Sequence, residues 1–153
     1  ARSGKDKNED VSVFTHTWDE FPAADYSQEL LERWGKIRGV RAEVQKQLEE
    51  ARGAGKIGSS LQAEVEIRAS GGKLELLQSL QDDLRFVLIT SSAVVTPVAA
   101  AADEAVIVSV SAHAKCERCW HYRDDVGAEA AHPGLCGRCV SNLHGTGEAR
   151  AHA

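Results

Sequence analysis

Apolar residues recur at steps of three and four along Leu30, Trp34, Ile37, Val40, Val44, Leu48 and Ala51. At helical pitch they fall on one face, so the spacing predicts an amphipathic helix from about Asp25 to Arg52 with that face in a core. Asp25 or Ser27 can cap its start by accepting a bond from a first-turn amide, and Gly53 and Gly55 can end it through positive φ. The opposite face carries Arg33, Lys36, Arg41, Glu43, Lys46 and Glu50. Its simplest reading is a solvated helix surface, and the alternative is an RNA-facing stripe.

Beyond the glycines the period changes to two. "LQAEVEIRA" alternates Ala63, Val65 and Ile67 with Glu64, Glu66 and Arg68, the pattern of a strand with one wet face. "KLELLQSLQDDL" returns to helical steps through Leu74, Leu77, Leu80 and Leu84. "RFVLIT" (85–90) then reads as a buried strand, completing a strand, helix, strand unit. "SSAVVTPVAAAADE" reads as a low-complexity connection, and "AVIVSV", Ala105 to Val110, as a further strand of the same small sheet. Upstream, "VSVFTHTWDEFP" reads as an extended segment packing on another surface, and "ARSGKDKNED" as a polar tail or a boundary inside a longer chain. The first residue is Ala, which points to a fragment or a processed chain. The fold class implied is α+β: a long amphipathic helix, a small strand, helix, strand unit and a cysteine-bearing C-terminal module. The divisions expected are 1–60, 61–112 and 113–153.

"GAGKIG", Gly53 to Gly58, satisfies the string G-x-G-x-x-G of dinucleotide sites. That motif needs a strand before it and a helix opening on its last glycine, so that helix amides face a pyrophosphate. Here a helix precedes and a strand follows, so a helix-to-strand turn is the better reading.

Composition narrows the partners. With 42% apolar and 27% charged residues in 153, the chain can form one or two small globular units. The longest apolar stretch, around Val98 to Ala102, is too short to cross a bilayer, and no membrane partner is expected. A net charge of −5 is the wrong sign for bulk electrostatic binding of nucleic acid, so any RNA contact must be local. The same balance disfavours an independent DNA-binding finger. From His113 onward five cations face five carboxylates, and five of the six histidines lie there.

All four cysteines also lie there: Cys116, Cys119, Cys136 and Cys139 form C-x2-C-x16-C-x2-C, within the spacing of a four-thiolate zinc site. Each C-x-x-C pair can make a knuckle, and two knuckles complete a tetrahedron with no position left for water. One structural zinc ion per chain is the cofactor this implies. Between His113 and His144 the large apolar residues are mainly Trp120, Tyr122, Val126, Leu135, Val140 and Leu143. Their burial cannot offset the ordering entropy of the segment, whereas thiolate-bound zinc supplies folding energy directly. Two disulfides need an oxidising compartment, and no export signal is present. A redox pair needs one C-x-x-C at a helix start beside a βαβ unit. Haem attachment needs C-x-x-C-H, and Trp120 intervenes before His121.

The knuckles put Arg118 and Arg138 at equivalent positions, near Trp120, His121 and Arg123, a set suited to phosphate contact and base stacking. The competing reading makes Trp120 core and the arginines solvated.

These residues carry a resemblance. "KCERCWHYRDDVG" with "HPGLCGRCVSNLHGTGE" resembles the zinc-binding C-terminus of bacterial isoleucyl-tRNA synthetases. "LLERWGKIRGVRAEVQKQLEEARGAGKIGSSLQAEV" is similar to the end of their anticodon-binding helical domain, and "SVFTHTW" fits the segment leading into it. The chain departs at Glu117, where the family commonly has proline, which touches knuckle rigidity more than metal binding. The resemblance implies class I enzymes that join isoleucine to its tRNA with ATP and edit misactivated valine. It implies that Cys116, Cys119, Cys136 and Cys139 are the zinc ligands and that the long helix belongs to the anticodon-binding bundle. Neither the HIGH-type nor the KMSKS-type ATP-site signature occurs here, so this chain alone should not be catalytic. The partners implied are the anticodon arm of isoleucine tRNA and the remainder of the parent synthetase, in the cytoplasm. The competing function is a zinc-braced structural or protein-interaction module without direct RNA contact.

Overall fold

The computed structural model describes Pro22 and residues 27–148. The polar tail, the aromatic segment before the helix and the Asp25 cap lie outside the described residues, as does the Ser27 side chain.

Helix α1 runs Ser27–Gly53. Ile37, Val40, Val44 and Leu48 are buried on its apolar face, and Trp34 and Ala51 pack against the same cluster. Leu30, assigned to that face, is 44% exposed and neighbouring Leu31 61%, so the apolar stripe outruns the described core at its N-terminal end. The helix stops where the glycines predicted. Gly55 takes φ +70, its amide donates to the Arg52 carbonyl, and the Lys56 amide donates to the Ala51 carbonyl. These two bonds satisfy carbonyls that the helix end would leave bare, a Schellman motif. "GAGKIG" is therefore a helix terminator leading into strand, as the context implied.

Gly35 and Gly39 stand inside α1 with open space where a Cβ would go. Glycine inside a helix costs roughly 0.5–1 kcal/mol relative to alanine. Gly39→Ala should therefore raise the unfolding free energy of this chain by about that amount in urea titration. A loss would mean that another surface closely approaches this backbone.

Strand β1 (Ala63–Ala69) is the centre of a three-stranded sheet in the order β2-β1-β3. Ala63, Val65, Ile67 and Ala69 are buried while Arg68 is exposed, as the alternation required. After α2 (Gly71–Gln78) comes the first departure from expectation: "RFVLIT" is not a strand. Leu84–Leu88 form helix α3, because Leu84 and Leu88 continue the series Leu77, Leu80 at helical steps and all four are buried. Ile89 ends α3 in the left-handed region at φ 60, a costly conformation for a β-branched residue. The second departure follows from the first. The strand parallel to β1 is β2 (Ser92–Pro97), drawn from the supposed connection, in the register Glu64↔Ser92 to Ala69↔Pro97. Pro97 is tolerated there because β2 is an edge strand among the described residues. β3 (Ala105–Val110) lies antiparallel on the other side of β1, as "AVIVSV" predicted.

One core joins α1, β1, α2 and α3, with Ile37, Val44, Val65, Ile67, Leu77 and Leu84 nearly or fully inaccessible. Lys73 of α2 pins its rim by pairing with Glu43 of α1 at 3.1 Å and with Glu104 before β3 at 3.3 Å. Burial works against the Lys73 charge, but these two carboxylates outweigh it and raise its pKa. The bonds from the Ser70 hydroxyl and amide hold the Glu104 carboxyl below its usual range.

Candidate metal centre and the surface around it

The first C-x-x-C pair sits between β4 (Ala114–Lys115) and β5 (Tyr122–Arg123), a short antiparallel pair in the register Lys115↔Tyr122. The Cys116 amide donates to the His121 carbonyl at 2.9 Å and the Trp120 amide to the Cys116 carbonyl at 2.9 Å, which closes the knuckle. The second pair opens helix α4 (Gly137–His144), with Cys136 at its N-cap and Cys139 in its first turn. Bonds that hold the halves together include the Glu117 amide to the Gly134 carbonyl, the Gly127 amide to the Leu135 carbonyl, and the Gly137 amide to Asp125 Oδ2.

These supports bring all four sulfurs within 4.8 Å of one another. Cys119 Sγ and Cys136 Sγ are 3.7 Å apart. A tetrahedron of sulfurs each about 2.3 Å from zinc has edges of about 3.8 Å, so the cluster has the size the ion needs. Cys116, Cys136 and Cys139 are buried and Cys119 is half-buried, which closes the site to solvent on most sides. All four are free cysteines, so the two-disulfide alternative is not realised.

The electrostatics are uneven. Burial acts to raise the Cys116 thiol, but amides of Cys119, Cys136 and Arg118 donate to its sulfur and bring it down to about 6. The Cys136 amide makes one of these bonds at 3.4 Å. Burial pushes Cys119 and Cys136 up. Four thiolates in one pocket need a cation, and Zn2+ with its preference for four sulfurs fits this donor set. The histidines are engaged elsewhere: His121 Nδ1 lies 3.1 Å from the Cys119 carbonyl, and the His132 and His144 rings stack at 4.1 Å.

The RNA-contact candidates do not share one environment. Arg118 Nη1 donates to Cys139 Sγ at 3.7 Å, close against the metal cluster. Arg138 pairs with Glu148 and lays its guanidinium 4.8 Å over the Phe86 ring, and His121 meets the same ring edge-on at 5.7 Å. Both residues thus join the cysteine module to α3. Arg123 Nε lies 3.5 Å from Asp125 Oδ1 and faces a cleft. Trp120 is the outward member: 59% exposed, at φ 65, with Lys115 Nζ 5.3 Å from its ring. The competing reading that made Trp120 core is not met.

Two supporting residues had no signal in the sequence. Phe86 lay in the misassigned strand, and Ser91 in the supposed connection. Ser91 Oγ accepts the Tyr122 amide at 2.6 Å and donates to the Leu61 carbonyl, fastening the β4–β5 hairpin to the sheet unit.

With this geometry in place the comparisons are direct. Residues 115–142 match the family described as a zinc finger found in FPG and IleRS. The chain is 60% identical over 93% of its length to the isoleucine–tRNA ligase of Cupriavidus pinatubonensis. It is 58% identical over 97% to that of Janthinobacterium sp., and 63% identical over 94% to that of Thiobacillus denitrificans. Its relatives are isoleucine–tRNA ligases. The resemblance read from the residues is thereby borne out, and so is a zinc-finger module, whose four-cysteine cluster could hold one metal ion. The chain spans 15% of the length of each of these ligases. Among the described residues no helix is long and apolar enough to cross a membrane.

Proposed function

We propose that this chain is the C-terminal portion of an isoleucine–tRNA ligase and holds the anticodon arm of isoleucine tRNA. The aminoacylation chemistry then belongs to the remainder of the parent synthetase, in the cytoplasm. Residues 1–60 end the anticodon-binding helical domain, 61–112 form the α/β junction and 113–153 the zinc-binding module. Cys116, Cys119, Cys136 and Cys139 hold one structural Zn2+, which fixes the knuckle and with it the loop that meets RNA.

Trp120 carries this reading. A large aromatic side chain, exposed and held at φ 65 on a knuckle, is costly for folding and suited to stacking on an unpaired base. Lys115 beside the ring adds a local cation in a chain whose overall charge is negative. Arg118, His121, Arg123 and Arg138 complete the candidate surface, with Arg118 the exposed member of the four. A second reading, a zinc-braced module without RNA contact, draws support from the use of His121 and Arg138 in docking on Phe86.

Trp120→Ala separates the two. Base–aromatic stacking is worth about 1–3 kcal/mol, so the variant should bind isoleucine tRNA roughly 5- to 150-fold more weakly while keeping its zinc and its urea midpoint. Unchanged tRNA affinity with zinc retained would favour the brace.

A further inference from the structure

An open cleft of about 330 Å3 lies between the outward face of the sheet and the β4–β5 hairpin. Arg85 of α3 and Arg123 of β5 line it, with Glu64 of β1 and Tyr122 completing the walls. Among the described residues no acceptor hydrogen-bonds the buried Nε of Arg85, and Arg123 Nε has only the ion pair with Asp125 Oδ1 at 3.5 Å. The Phe86 ring, 4.8 Å beneath the Arg85 guanidinium, fixes that plane. Asp82 and Asp124 also line the cleft and are exposed. Glu64 accepts a bond from the Ser111 hydroxyl at 2.6 Å and lies 3.7 Å from His113 Nε2.

The charge pattern decides what such a cleft can take. Two guanidiniums and an imidazole face three carboxylates, so the site has no net positive field, and a phosphate would meet repulsion as well as attraction. A neutral ligand presenting donors and acceptors side by side satisfies both sets. A nucleoside is one: its base offers carbonyl and ring-nitrogen acceptors to arginine and N–H donors to carboxylates, and its ribose hydroxyls do both. The volume lies at the small end of ligand pockets, the size for one such unit.

We infer that this cleft receives a single unstacked nucleoside of an RNA loop, with Arg85 and Arg123 donating to the base and Asp82 and Asp124 accepting from base N–H groups or ribose hydroxyls. The inference rests on the reading that the chain binds RNA, and deepens it by assigning a pocket apart from the Trp120 face. Binding of the zinc-loaded chain to the isoleucine tRNA anticodon stem–loop, and to a blunt duplex of the same stem, tests it across a salt series.

The paired change Asp82→Asn with Asp124→Asn should lower stem–loop affinity about tenfold or more, leave duplex affinity unchanged and leave the salt slope unchanged. Arg85→Gln should lose the same preference for the loop, and serves alone if the paired variant fails to retain zinc. Tighter binding of both RNAs by the paired variant would mark a phosphate seat and overturn the inference. Unchanged loop affinity would overturn the cleft while leaving RNA binding intact. Failure of the unaltered chain to bind either RNA would overturn both readings.

Discussion

Replacing Cys136 by serine should empty the metal centre and unfold the module around it while leaving the helix and sheet unit standing. The residue's sulfur is buried, 3.7 Å from Cys119 Sγ, and it sits at the N-cap of α4. Serine keeps the backbone amide that donates to Cys116 Sγ, so the substitution removes one sulfur from the cluster and little else. The loss is large because thiolate-bound zinc is worth an apparent ~10–16 kcal/mol in small zinc-dependent folds. Residues 115–148 have few other sources of stability: among the described residues Cys116, Cys136 and Cys139 are the buried members of their cluster, with Cys119, Val126 and Leu135 packed against them. Zinc content measured by a colorimetric chelator should fall from about one equivalent to near zero. Amide exchange should accelerate across the knuckles and α4 but not across α1. Because metal binding displaces thiol protons, acidification should release zinc from the unaltered protein and alkalinisation should not. Burial holds the Cys119 and Cys136 thiols up, which strengthens proton competition as pH falls. Stoichiometric zinc in the Cys136→Ser chain would remove this cysteine from the ligand set.

What could be read in advance followed the strength of the local pattern. The α1 face from Trp34 to Ala51 and the alternation Ala63, Val65, Ile67 were legible because each repeats one period over several residues against a single core. "RFVLIT" misled because a short apolar run fits a buried strand or a buried helical turn equally well. Leu84 and Leu88 settled it only in the context of Leu77 and Leu80. β2 was invisible for the opposite reason. It is a half-buried edge strand of small residues ending in proline, and its partner β1 supplies the apolar face. The cysteine cluster was legible from spacing, since two C-x-x-C knuckles constrain geometry locally. The engagement of His121 and Arg138 with Phe86 was not, because that contact joins residues 35 and 52 positions apart and leaves no trace in either neighbourhood.

The division of stability between two clusters leads to the second large effect. Ile67 is wholly inaccessible at the centre of β1, flanked by Val95 of β2 and Val106 of β3, and belongs to the cluster that joins the sheet to α1, α2 and α3. Ile67→Ala removes buried methylenes and leaves a cavity that rigid neighbours on three sides cannot fill, at a cost of roughly 2–5 kcal/mol. Small domains have only about 5–15 kcal/mol in total, so the urea midpoint should fall markedly. Val94→Ala is the control: on the same sheet but 56% exposed, it should shift stability by no more than about 0.5 kcal/mol. Zinc content should be unchanged in both variants, because the sulfur cluster shares no buried residue with the cluster around Ile67. The links between them include Phe86 against Arg138 and His121, the Tyr122 amide on Ser91, and His113 Nε2 3.7 Å from Glu64. If Ile67→Ala released zinc at the same urea concentration at which α1 melts, those contacts would have to transmit most of the module's stability. Retention of zinc beyond that point, followed at the metal while circular dichroism follows the helix, would show the module held by its ion alone and the Phe86 contact setting only its orientation.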